Sequence, residues 1–143
     1  MNMLMIPHSA AVHIPLALAV LFPLAHVARL ILTRTGFLPH RTWILLWALC
    51  AIQVATSGLS YISGQRDRAL SSAASELLNS HQEQALLFTL LWVAILAIYP
   101  DGSWLRKRRW LVALHHLTLI SFLVAQLVVA ISLGHLGGKI VFG

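Results

Sequence analysis

Eight histidines stand in this chain against four acidic residues, and their spacing is the first sign of chemistry. "HSAAVHIPLALAV", residues 8–20, sets His8 and His13 five positions apart where a long apolar run begins. His26 lies in "LAHVARL", His115 and His116 in "LVALHHLTL", His135 in "SLGHLGGKIV", and His81 opens another apolar stretch. A neutral imidazole binds zinc, copper and haem iron, and so few carboxylates leave little scope for acid–base pairs. No Cys-x-x-Cys-His occurs, which excludes covalent c-type haem. No Ser/His/Asp set, carboxylate pair or phosphate loop has a catalytic setting, so hydrolase and transferase readings have no support. The lone Cys50 has no partner for an intramolecular disulfide and reads as a packing residue.

The elements that must position these histidines follow from composition. Apolar residues make up 59% of 143 residues and charged ones only 10%. A soluble domain of that size would expose large apolar patches. Four runs, 11–32, 42–62, 81–99 and 110–133, each approach the roughly 20 residues that a spanning helix needs. They lack period-2 alternation, and backbone in lipid must satisfy itself, so helices are expected rather than barrel strands. The expected fold is all-α: one integral membrane domain, a four-helix up-down bundle. The first run is not read as a cleaved signal peptide, because "MNMLMIPHSA" carries no positive charge and the apolar stretch is too long.

Basic residues orient the bundle. Arg29, Arg34, Arg41 and the run "RKRR" (106–109) fall on one side; Arg66, Arg68 and Lys139 fall on the other. The positive-inside rule then predicts both termini and the 63–80 loop outside the cytoplasm. Trp43, Trp104 and Trp110 suit interfacial positions at the cytoplasmic ends. "RKRR" serves topology, and no nucleic-acid partner is expected. "TRTGFLPHR" and "PDGSWLRKRR" carry turn punctuation. In the 63–80 loop, Leu70, Ala74, Leu77 and Leu78 have helical spacing, which suits either a short amphipathic surface helix or an ordinary connector.

Threaded up and down, the histidines fall into two tiers. His8, His13, His81 and His135 lie at the external end. His26, His115 and His116 lie deeper, about 20 Å away by the helical rise between His13 and His26. His40 is in a cytoplasmic turn. Ionisable groups inside a membrane mark functional sites, and paired imidazoles between bundle helices can hold haem b. On the second run, Ala48, Ala51, Ala55 and Gly58 make one small-residue stripe, and Gln53, Ser57, Ser60 and Gly64 another. Either allows close approach of a helix or a flat macrocycle. An ideal helix separates His13 from His26 by about 140°, so only a kink at Pro15 or Pro23 would bring them to one face. His115 and His116 differ by about 100°, and His115 shares the face of Phe122 and Gln126, taken as inward.

The opening "HSAAVHIPLAL" and the close "GHLGGKIVFG" are similar to those of a widespread bacterial family of four-helix membrane proteins catalogued as a domain of unknown function. Its members begin His-Pro-x-x-Val-His-Phe-Pro and close Gly-x-Leu-Gly-Gly-x-x-Val. His8, Val12, His13 and Pro15 match the first pattern, with Ser9 for proline and Ile14 for the aromatic. Gly134, Leu136, Gly137, Gly138 and Val141 match the second, and His81 stands where the family has a histidine opening its third helix. The resemblance implies the same topology and singles out His8, His13 and His81. The deeper tier is not part of that pattern, and no activity comes with it.

The expected function is that of a b-type cytochrome-like electron-transfer protein with one or two haems b. His13 and His81 would be the principal ligands of an external haem, with His135 or His8 as substitute partner or propionate contact. His26 with His115, or else His116, would hold a second. Electrons would pass to or from quinone, an external cytochrome or a larger respiratory complex. Two alternatives stand beside it. One is a non-catalytic subunit of a membrane complex with internally satisfied histidines. The other is a copper or zinc site of His8, His13, His81 and His135.

Overall fold

The computed structural model describes residues 8–70, 76–100 and 108–142, with side chains described for 13–66, 76–100, 108 and 110–139. Four long helices carry nearly all of it: α1 (His8–Arg34), α2 (Trp43–Leu70), α3 (Glu76–Ile98) and α4 (Arg109–Phe142), with a 3-10 turn at His40–Thr42 ahead of α2. All four are long and apolar enough to cross a bilayer, which makes this a multi-pass membrane protein.

The elements exceed the apolar runs that announced them. α2 continues through "SGQRDRAL" and α3 starts at Glu76, so most of the expected 63–80 loop is helix. Leu70 closes α2, and Leu77 and Leu78 fall in the first turn of α3, while Ala74 lies outside the described residues. Gln, Arg, Ala and Leu are good helix formers, and no proline interrupts them once the apolar stretch ends. α4 likewise runs on through Gly134, Gly137 and Gly138 to Phe142. α1 contains both Pro15 and Pro23 and is still one continuous helix.

Each helix packs on the next in sequence, and α1 meets α4 to close the ring through the sparsest of the four seams. Short connections force antiparallel neighbours. Gly36, at φ +79°, takes the chain out of α1 in a backbone region that side chains disfavour. Thr42 then bonds the Pro39 carbonyl with its amide (3.1 Å) and its hydroxyl (2.9 Å), setting the start of α2.

Lipid replaces water outside, so the outer face is as apolar as the core. Leu59 is 67% exposed and Ile131 is 64% exposed. Inside, Phe22, Trp92, Ile95, Leu119 and Leu123 form the centre, with Phe22 edge-on to Trp92 at 5.2 Å and to Tyr99 at 5.5 Å. Such aromatic pairs add about 0.5–1.5 kcal/mol beyond burial. The α2–α3 seam is tied by the Trp47 indole donating to the Leu96 carbonyl at 3.3 Å. Cys50 is fully buried and faces the Trp92 carbonyl, 3.9 Å from its sulfur, as expected of a packing residue.

Hydroxyls are handled locally. Thr33, Thr56, Ser57, Ser60, Ser63, Thr89 and Ser121 donate to carbonyls three or four residues back, the usual way to carry a hydroxyl through an apolar medium. Polar groups that cannot do this are gathered inside: among the described residues, His26, Gln53 and Gln126 are buried, together with Ser57.

Candidate functional site

Two polar regions occupy opposite ends of the bundle, separated by the aromatic layer. At the end that holds the 35–42 turn, α1 brings His26 inward and α3 ends at Tyr99. His26 is 2% exposed, and its Nδ1 lies 2.9 Å from the Tyr99 phenol oxygen. The rings meet edge-on at 5.5 Å. A contact between the later part of α1 and the end of α3 also shows that these two helices run parallel across the core.

That bond leaves a particular atom over. His26 Nε2 is buried and has no hydrogen-bond partner. An unsatisfied buried polar atom costs about 1–3 kcal/mol. If Nδ1–H donates to the phenol, Nε2 carries a lone pair, the form in which an imidazole binds a metal. If the phenol donates to Nδ1, Nε2–H is left over instead. Arg29, His116 and His115 stand within electrostatic reach of His26, and Arg29 also flanks Tyr99. Arg29 donates to the His40 carbonyl at 3.3 Å, which ties this corner to the turn.

His115 and His116 are half-buried on α4, with their rings 5.6 Å apart. The inward face of α4 runs through Leu119, Leu123, Gln126, Ala130 and Leu133, so the face assigned from Gln126 is the buried one. His115 lies closest to that line by helical spacing, and His116 flanks it. His26 and this pair lie within electrostatic reach of one another, on the two helices of the sparse α1–α4 seam.

The other end is built differently. His81 lines a cavity of about 50 Å³ together with Ser57, Ser60, Tyr61 and Gln82 above Pro15 and Phe88. Here the sequence pattern sorts cleanly. The Gln53, Ser57, Ser60, Gly64 stripe faces inward, with Gln53 fully buried and the rest lining the cavity. The alanine stripe does not, since Ala48 and Ala55 are exposed and nothing lies within 4 Å of a Cβ placed at Gly58. On α4, a Cβ at Gly137 would meet the His81 ring carbon at 3.6 Å, an ordinary van der Waals contact that sets His81 against this helix.

The remaining histidines of this end do not join His81. His13 is exposed and is not among the cavity-lining residues; His135 is exposed too. Since His26 is buried on the same continuous helix, the two prolines do not bring His13 and His26 to one face. The His8 side chain lies outside the described residues. His40 sits exposed in the turn. Among the described residues, no three His, Cys, Asp or Glu side chains cluster as a metal site, which leaves the four-histidine copper or zinc arrangement without a described counterpart.

Sequence reasoning missed Tyr99, which only closed the third apolar run. It also missed Phe22 and Trp92, apolar residues in apolar stretches with no local signal that they meet. Compared with family models, characterised proteins and solved structures, the chain matches none.

Proposed function

We propose that the chain is a b-type cytochrome-like electron-transfer protein of the bacterial inner membrane, holding one haem b at the Tyr99 end. The observation that carries this reading is His26: buried, held at Nδ1 by Tyr99, and with Nε2 left without a partner. A haem-ligating histidine needs its second nitrogen fixed by a hydrogen bond so that the first presents its lone pair. His115 is the favoured second ligand, being nearest the inward face of α4, with His116 beside it. The donor set therefore fits the group. Haem, when bound, supplies one-electron chemistry at an iron whose potential its axial ligands and surroundings tune.

The chain's own residues supply the rest. Tyr99 sets the tautomer and ring plane of His26. Phe22 and Trp92 wall the site and exclude water from the core side. The α1–α4 seam, being the sparsest, is the one whose parting disturbs least packing. By the positive-inside rule this end faces the cytoplasm and both termini face the periplasm. Quinone, an external cytochrome or a larger respiratory complex would exchange the electron. The likeness of the chain's two ends to the family of unknown function belongs with this proposal and adds no weight to the His26 site. The proposal uses a single haem, because His13 is exposed and does not line the cavity that His81 borders.

The other reading is a non-catalytic subunit of a membrane complex, and the His26–Tyr99 bond favours it to the extent that it satisfies half of the imidazole. Haem content separates the two. A reduced-minus-oxidised spectrum of the purified protein with a haem b signature supports the first; protein purified from haem-replete cells without haem supports the second.

A further inference from the structure

The His81 end carries an inference that does not rest on haem. Three buried polar side chains lie deeper in the bundle than the cavity, by one or two helical turns. Gln53 is one turn deeper than the cavity-lining Ser57 on the same face of α2, and Trp92 one turn deeper than Phe88 on α3. Gln126 is two turns deeper than Leu133 on α4, again on the same face. Gln53 and Gln126 are fully buried, as is Trp92. Gln53 Oε1, Trp92 Nε1 and both amide atoms of Gln126 have no hydrogen-bond partner. Gln53 is held in place by its amide nitrogen, which donates to the Pro15 carbonyl at 2.9 Å, at the α1 residue that walls the cavity.

The cavity above is chemically prepared for water. Ser57 gives its proton to a helix carbonyl at 3.1 Å, so toward the cavity it is an acceptor. The Tyr61 phenol accepts from Gln65 at 2.8 Å and keeps its proton to donate. About 50 Å³ is room for more than one water, since a single water needs roughly 10–15 Å³ measured this way. Beyond the two glutamines the character changes abruptly, where Phe22 packs edge-on against Trp92 and closes the way to His26.

We propose that the His81 end is a water-filled vestibule, open at that face of the membrane, with Gln53, Trp92 and Gln126 as its floor and the Phe22–Trp92 pair as its stop. Water reaches the middle of the membrane from one side only, and a proton or small polar solute arriving with it halts at the aromatic layer.

Two measurements test this. In a Cys50→Ala background in proteoliposomes, silver ion added at the His81 side is expected to abolish the titratable thiol of Ser57→Cys and Gln126→Cys. The lipid-facing Leu59→Cys should keep its thiol. In the unmodified chain, water-edited solid-state NMR should show magnetisation passing from water to the Trp92 indole N–H, and much less to that of Trp47, which bonds a helix carbonyl. If Trp92 is as slow as Trp47, water does not reach the floor and the proposal fails, whatever the cysteine variants do. Retention of the Ser57→Cys thiol in folded protein would overturn it equally. Neither arm reads haem, so a protein without haem leaves this inference standing.

Discussion

The two ends of the bundle solve the problem of a polar group in lipid in opposite ways. At the Tyr99 end one imidazole is sealed among aromatic rings, fixed by a single bond and left with one buried nitrogen over. At the His81 end hydroxyls, a phenol and amides surround a cavity, so satisfaction can come from water. The difference lies in what sits next to each group on its own helix. Around His26, α1 offers Phe22 one turn away, while on α2 Gln53 is followed by Ser57 and Ser60. A sealed site suits a tightly held ligand and fixed chemistry; an open one suits exchange.

The largest effect expected is from His26→Ala, which removes the sealed imidazole and should abolish haem binding; haem retained in this variant breaks the contrast. Phe22→Ala comes next. It deletes the stop between the two regions and should destabilise the fold by about 3–5 kcal/mol, the usual cost of truncating a buried phenylalanine. Denaturant titration in detergent checks the cost, and the Trp92 indole exchange rate should rise as the aromatic layer opens. Tyr99→Phe keeps the ring and removes only the bond to His26 Nδ1. Loss of such an orienting partner should weaken metal-group affinity about 10–100-fold, read by haem transfer to apomyoglobin. Gln126→Leu should change least. If water serves Gln126, the variant loses a net hydrogen-bond contribution of about 1 kcal/mol; if its surroundings are dry, removing unsatisfied atoms stabilises the fold. The sign of that small change sharpens the comparison.

Much of this architecture was legible in the sequence, for identifiable reasons. Span number and helical class follow from apolar run length, because the bilayer sets both. Both small-residue stripes of α2 were visible at helical spacing, though not which of them faces inward, and the inward face of α4 was visible because Gln126 is polar within an apolar run. Helix ends were not legible: the polar 63–70 and the glycine-rich 134–142 lie beyond the apolar runs, yet helix continues through both. The site was legible only in part. His26, His115 and His116 were found by residue type, but Tyr99 was not. Its role depends on the parallel placement of α1 and α3, a long-range relation that no local pattern carries. His13 stood out by its motif, and its exposure follows from a helical phase about 140° away from that of buried His26.

The central claim, that His26 holds a haem that His81 does not, is tested most directly by the pyridine haemochrome assay on three purified proteins. The unmodified chain should carry a single haem b, His81→Ala should keep it, and His26→Ala should lose it while remaining folded by circular dichroism. Haem that survives His26→Ala and disappears with His81→Ala would contradict the account outright.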